Sequence, residues 1–171
     1  MRIESLSIVP MLAMGNAMST FTAQNMGAGK IDRVKEGYRM CYVIVLTAGA
    51  VLCVMYQLAG GAFVSLFLDS GSSEAYSVGL SYVKFLSFFY SFIGLKASTD
   101  GLLRGAGDVT AFTVANLVNL AIRVSVTNLF APVYGIQVAW MAVPLGWAAN
   151  YVISFGWYLT GKWKKVRVIK K

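Results

Sequence analysis

Apolar positions in this chain come in long blocks, not in the two-residue alternation of a half-buried strand, and blocks of that length predict helices that cross a bilayer. They run from about Ser5 to Met26, Tyr38 to Leu58, Ala75 to Leu102, Val109 to Phe130 and Ile136 to Leu159. Each supplies the roughly 20 residues that a span requires. The expected fold class is an all-α membrane protein of about five transmembrane helices occupying residues 1–171, with no room for a separate soluble domain.

Polar residues within the blocks say which faces meet protein. The first block holds Pro10 and a run with Asn16, Ser19, Thr20 and Gln24, unfavourable against lipid, so one face must look into the bundle or a cavity. Gly27-Ala28-Gly29 ends it, and Gly105-Ala106-Gly107 repeats the pattern after the third block. Glycine there allows the left-handed conformation that closes a helix and lets two helices approach. Gly60-Gly61 is expected to break the second span, leaving residues 62–68 as a short apolar extension along the interface. Ala131-Pro132-Val133-Tyr134-Gly135 is expected to be a turn.

Charge orients the spans. Eleven of the 15 Lys and Arg residues fall after the first span, at Arg104, or in the tail from Lys162, while the loop at residues 69–74 carries only acids. The positive-inside rule then places residues 30–37, 104–108 and 162–171 in the cytoplasm, residues 69–74 outside, the N-terminus outside and the C-terminus inside. Trp157, Tyr158 and Trp163 fall where an interfacial aromatic belt is expected.

Composition agrees: 57% of residues are hydrophobic, 13% are charged and the mean hydropathy is +0.64. The net charge of +8 flanks spans instead of forming an exposed basic stripe, which excludes nucleic acid as a partner and makes the lipid bilayer the expected one. With no histidine and only Cys41 and Cys53, both within a span, the chain offers no histidine triad, His-ligated metal site or disulfide framework. No enzyme activity, metal or cofactor is expected. Glu4 and the polar residues of the first block argue for a mature span over a signal peptide.

Several residues have both a structural and a functional reading. Gly27-Ala28-Gly29-Lys30 is not a phosphate loop, because Gln24 and Ile31 stand where Walker A needs Gly and Ser or Thr. Lys84 is near enough to a span end to snorkel. Lys96 has Asp100 one helical turn on, the spacing of an internal ion pair. Arg123 lies near the middle of the fourth span with Asn116 and Asn119 before it at helical spacing; this polar face must point into the bundle, as helix-fastening glue or as part of a transport path. The third span's aromatics, including Phe89, serve packing, lipid contact or a cation-binding sleeve. Ala142, Gly146, Asn150 and Ser154 form a small-residue stripe suited to close helix packing.

Residues 19–37, Ser-Thr-Phe-Thr-Ala-Gln-Asn-Met-Gly-Ala-Gly-Lys-Ile-Asp-Arg-Val-Lys-Glu-Gly, resemble the eighth helix and following loop of the multidrug and toxic compound extrusion (MATE) family. Leu103-Arg104-Gly105-Ala106-Gly107-Asp108 resembles that family's turn after the tenth helix. The resemblance implies helices eight to twelve of a twelve-helix transporter built from two six-helix lobes: a C-terminal lobe without its first helix, and without the N-terminal lobe as partner. It further implies a multi-pass cell-membrane protein and secondary antiport of organic cations against Na⁺ or H⁺. Asn16, Thr20, Phe89, Asn116, Asn119 and Arg123 would line the pathway. Gln24, Asn25, Gly27, Gly29, Lys96, Asp100, Arg104, Gly105 and Gly107 would act as packing, gating or pivot positions. The coupling Asp that some members carry three turns before Leu-Arg-Gly is absent, Ile93 standing near that position. Competing expectations are a lipid-linked oligosaccharide flippase of the same superfamily, which Arg123 favours, and a non-transporting truncated membrane fragment.

Overall fold

The structure, a computed structural model, describes residues 2–67 and 74–165. Six α-helices and a terminal 3₁₀ turn follow in chain order: α1 (Arg2–Gly27), α2 (Ile31–Ser65), α3 (Glu74–Ser87), α4 (Tyr90–Gly105), α5 (Val109–Tyr134) and α6 (Gln137–Leu159), then Lys162–Lys165. Helices α1, α2, α5 and α6 are each long and apolar enough to span a membrane, and α3 with α4 form a fifth candidate span bent by 53°. The loop expected outside lies mostly, and the tail beyond Lys165 wholly, outside the described residues.

The two Gly-Ala-Gly turns close their helices identically. In the first, Gly29 adopts φ 70° while its N–H bonds Met26 O at 3.0 Å and Lys30 N–H bonds Asn25 O at 2.8 Å. In the second, Gly107 adopts φ 83°, with Gly107 N–H to Arg104 O at 3.1 Å and Asp108 N–H to Leu103 O at 2.9 Å. This paired bonding satisfies the last carbonyls of a helix and needs a left-handed residue at the third position of the triplet. The first glycine has different work in the second turn: a Cβ on Gly105 would strike the Ser19 carbonyl and lie 2.9 Å from Thr22 Cβ.

Three expectations need correction. Helix α2 runs unbroken through Gly60-Gly61 to Ser65; the missing side chains instead admit α3, with Leu80 Cδ1 3.2 Å from where a Gly60 Cβ would be and the Tyr76 hydroxyl donating to Gly61 O at 3.2 Å. Helix α5 continues through Pro132 and ends only at Gly135, φ 82°. The third span is broken at Phe88-Phe89 with no Gly or Pro to announce it. There the Lys84 carbonyl accepts from Ser87 Oγ at 2.7 Å and from Gln57 Nε2 of α2 at 2.9 Å, bonds that compete with the helix ladder and let it turn.

Helix α4 is the axis of the bundle, packed against α1, α2 and α6 and touched by α5. Its closest neighbour is α1: a Cβ on Gly15 would lie 2.6 Å from the Ala97 carbonyl oxygen, and one on Gly101 would strike the carbonyl of Gly15. Ala97, Gly101 and Gly105 recur every fourth residue, the small-residue face by which helices approach closely where lipid gives no hydrophobic drive. Helix α5 packs chiefly on α6, where Asn119 Oδ1 and the Arg123 stem press on Gly146. Trp163 is fully buried, stacked on Tyr158 at 5.6 Å and donating from Nε1 to Tyr158 O at 3.1 Å.

Candidate functional site

Because α1 and α5 both lean on α4 without closing on each other, a cleft of about 280 Å³ remains between them. Leu12, Gly15 and Asn16 of α1, Lys96, Ala97, Asp100, Gly101 and Arg104 of α4, and Phe112 and Asn116 of α5 line it. Two glycines make this space: Gly15 and Gly101, with no side chains, let α1 close onto α4 and leave Lys96 and Arg104 to project alongside.

At its floor is Asp100, only 4% exposed. Its Oδ2 accepts from Lys96 Nζ at 3.0 Å and from Asn116 Nδ2 at 3.2 Å, and its Oδ1 accepts from Ser154 Oγ at 2.7 Å. Lys96 also donates to Asn116 Oδ1 at 3.0 Å, and Asn116 Nδ2 to Phe112 O at 2.8 Å. One buried carboxylate thus joins α4, α5 and α6. A charge in this setting is tolerated only when paired and hydrogen-bonded, and here it is both. One turn from Ser154, the fully buried Asn150 Nδ2 has no hydrogen-bond partner among the described residues.

Arg104 guards the other end of the cleft. Its Nη2 donates to Asn16 Oδ1 at 2.7 Å and its Nε to Ser19 Oγ at 3.3 Å, and its guanidinium lies over the Phe112 ring at 5.6 Å. Just beyond, Asp108 caps α5 by accepting from Ala111 N–H at 3.3 Å and receives Trp157 Nε1 at 2.6 Å.

Of the residues singled out from sequence, Asn16, Lys96, Asp100, Arg104 and Asn116 converge on this cleft. The others do not. Asn119 and Arg123 turn from Asn116 toward α6, and Arg123 lines a separate cleft of about 480 Å³ with Thr127, Asn128 and Val143. Arg123 also lies within electrostatic reach of Tyr82, whose hydroxyl donates to Glu4. Phe89 sits at the α3–α4 bend in an apolar crevice of about 110 Å³ with Phe92 and Pro144. Thr20 is exposed and bonds Asn16 O at 3.3 Å. Gln24, Gly27 and Gly29 are exposed at the α1–α2 turn, while Asn25 is buried and donates from Nδ2 to Phe21 O at 2.8 Å.

Sequence reasoning missed two features. Ser154 belonged to a stripe read as packing alone, yet it binds Asp100; a hydroxyl in a small-residue stripe, with a buried acid needing partners, was the available signal. Tyr38 and Tyr42 of α2 converge on Thr99 of α4, at 2.7 and 2.8 Å, with Tyr151 of α6 3.4 Å from Tyr42. Nothing in the spacing of residues 38, 99 and 151 announces that cluster.

The MatE family model matches residues 1–143, and the chain belongs to that family. It is 28% identical over 168 residues to "Probable multidrug resistance protein YpnP" of Bacillus subtilis (strain 168), covering 98% of this chain and 37% of that protein. It is 21% identical over 178 residues to "Probable multidrug resistance protein NorM" of Thermotoga maritima, covering 99% and 37%. A solved structure, the inward-facing conformation of a multidrug resistance MATE family transporter of the MOP superfamily, shares its fold with a TM-score of 0.77 at 20% identity, over 91% of this chain and 36% of that one. The chain thus spans a little over a third of the length of the relatives it matches.

Proposed function

We propose that this chain forms part of the C-terminal lobe of a secondary active multidrug efflux antiporter, exchanging organic cations for Na⁺ or H⁺ across the cell membrane. The observation that carries the reading is the Lys96–Asp100 pair in an open cleft, within a chain of the MatE family whose relatives are described as multidrug resistance proteins. A buried charge pair merely fastening helices needs no access, whereas this one borders about 280 Å³ of open space. Transport would follow from this lobe rocking against a second, with the bound ion or drug biasing which side is open. The two Gly-Ala-Gly turns serve as pivots and Arg104 as a tether between α4 and α1. Residues 30–37, 104–108 and the tail from Lys162 face the cytoplasm.

A chimera tests the reading. The chain replaces the matching part of Bacillus subtilis YpnP, and ethidium extrusion is followed in cells lacking their major efflux pumps. Extrusion by the chimera and by intact YpnP, but not by YpnP lacking that part or by the chain alone, is the expected result. A well-inserted chimera that extrudes nothing while intact YpnP does would contradict it.

A further inference from the structure

We propose that the apolar groove between α1 and α2 holds an acyl chain of an anionic phospholipid, whose phosphate is bound by Arg33 and Lys30 at the groove's mouth. The proposal stands apart from the efflux reading, which gives this surface no role.

Packing at Gly37 sets the groove. A Cβ there would strike the Phe21 ring, so the two helices touch through a ring on bare backbone, and about 310 Å³ stays open alongside. Met14, Met18 and Phe21 of α1 and Met40 and Ile44 of α2 wall the space, with the small, exposed Ala17 among them. The one lining thiol, Cys41, is already hydrogen-bonded to Ser98 Oγ of α4 at 3.1 Å. With no polar side chain left to hold water, the groove suits hydrocarbon, and unbranched methionines adapt to a flexible chain. From residue 14 to 21, and from 37 to 44, it extends about 10 Å. That length fits within one leaflet of a hydrocarbon layer about 30 Å thick.

Charge selects the lipid. Arg33, Gly37, Met40 and Ile44 recur at helical spacing on one face of α2, so Arg33 stands one turn, about 6 Å, beyond the groove's Gly37 end. Lys30 precedes it in the α1–α2 turn. Both are exposed, and neither makes an ion pair or side-chain hydrogen bond among the described residues, whereas Asp32 takes Lys35 at 2.7 Å. Four basic residues, Lys30, Arg33, Lys35 and Arg39, against two acidic ones, Asp32 and Glu36, leave the segment at +2. A phosphodiester matches the paired N–H donors of a guanidinium, and a net negative headgroup answers the excess charge where a zwitterionic one does not. Another helix packed here would fill the groove yet leave both cations without a counterion.

The test is native mass spectrometry of the purified full chain in detergent carrying equal amounts of phosphatidylglycerol and phosphatidylcholine with the same acyl chains. Wild type should retain at least about tenfold more phosphatidylglycerol. Arg33→Gln combined with Lys30→Gln should bring that preference to within about twofold. Arg39→Gln, about a third of a turn from the Arg33 face, should leave it unchanged. Ala17→Phe, which fills the groove from an exposed position, should melt like wild type and retain less of both lipids. A phosphatidylglycerol with a diazirine in its acyl chain should label peptides containing Met14, Met18 or Met40, in the full chain and in the YpnP chimera alike. The proposal is overturned if wild type retains the two lipids equally, if Arg39→Gln costs as much preference as the Arg33 and Lys30 pair, or if folded Ala17→Phe retains lipid undiminished. Absence of groove labelling in the chimera also overturns it, because protein then fills the groove. Ethidium extrusion is scored separately, so loss of this lipid site spares the transporter reading.

Discussion

Helices α4 and α5 are neighbours in sequence and both belong to candidate membrane spans, α4 as half of the bent α3–α4 pair, yet they are opposites. Most of α4 is buried, and it carries Lys96, Asp100 and Arg104; of the 26 residues of α5 only Ala111 and Ala115 are buried, while Val114, Leu117, Leu120 and Val124 stand exposed. In lipid, polar chemistry survives where a helix is surrounded on every side, and apolar residues fill the faces that are not. Lys96 and Asp100 can be charged because α1, α5 and α6 crowd round α4. Arg123, on the sparsely packed helix, lies along the α5–α6 cleft, within electrostatic reach of Tyr82.

The comparison breaks most sharply at Asp100. Asp100→Ala strands the Lys96 ammonium and should cost on the order of 3–5 kcal/mol, as removal of one member of a buried pair does. Leu117→Ala on the exposed face of α5 should change thermal stability in detergent by no more than about 0.5 kcal/mol. Equal effects from the two would erase the distinction between the helices.

Gly101 gives the next largest effect. Gly101→Val drives a side chain into the Gly15 carbonyl, and overpacking of this kind costs on the order of 1–3 kcal/mol. The loss should appear as a lower midpoint in a fluorescence-detected melt. A glycine with open space around it, such as Gly156, should accept alanine with no loss.

Arg123 sharpens the contrast from the other side. Arg123→Gln in the YpnP chimera should lower ethidium extrusion only about two- to threefold, with expression and melting unchanged, because its guanidinium is not part of the Asp100 network. A matching fall in stability and transport would make it a structural tie. Smallest of all is the effect of a cysteine at position 165 in a background lacking Cys41 and Cys53: folding should be unaffected, and an impermeant reagent should label it only after cells are opened. Strong labelling in intact cells would reverse the orientation.

Much of this was legible in the sequence. Block lengths gave the spans, glycine chemistry gave both turns, and the four-residue spacing of Lys96 and Asp100 gave the ion pair. What escaped was whatever depended on a second helix. The bend at Phe88-Phe89 comes from Gln57, some 30 residues away, and the third ligand of Asp100 comes from Ser154 across the bundle. Helical spacing put Asn116, Asn119 and Arg123 on one side of α5, but they divide between neighbours: Asn116 bonds Lys96 and Asp100 of α4, while Asn119 and the Arg123 stem press on Gly146 of α6. Gly60-Gly61 read as a break for the same reason: only α3 reveals that the pair is a contact surface.

The central claim is that the charged face of α4 is the working surface of a transporter lobe. Ethidium extrusion by the YpnP chimera and by its Asp100→Asn form, at equal membrane levels, tests it most directly. Extrusion by the parent chimera and none by the variant is predicted; extrusion at the same rate by both would contradict it.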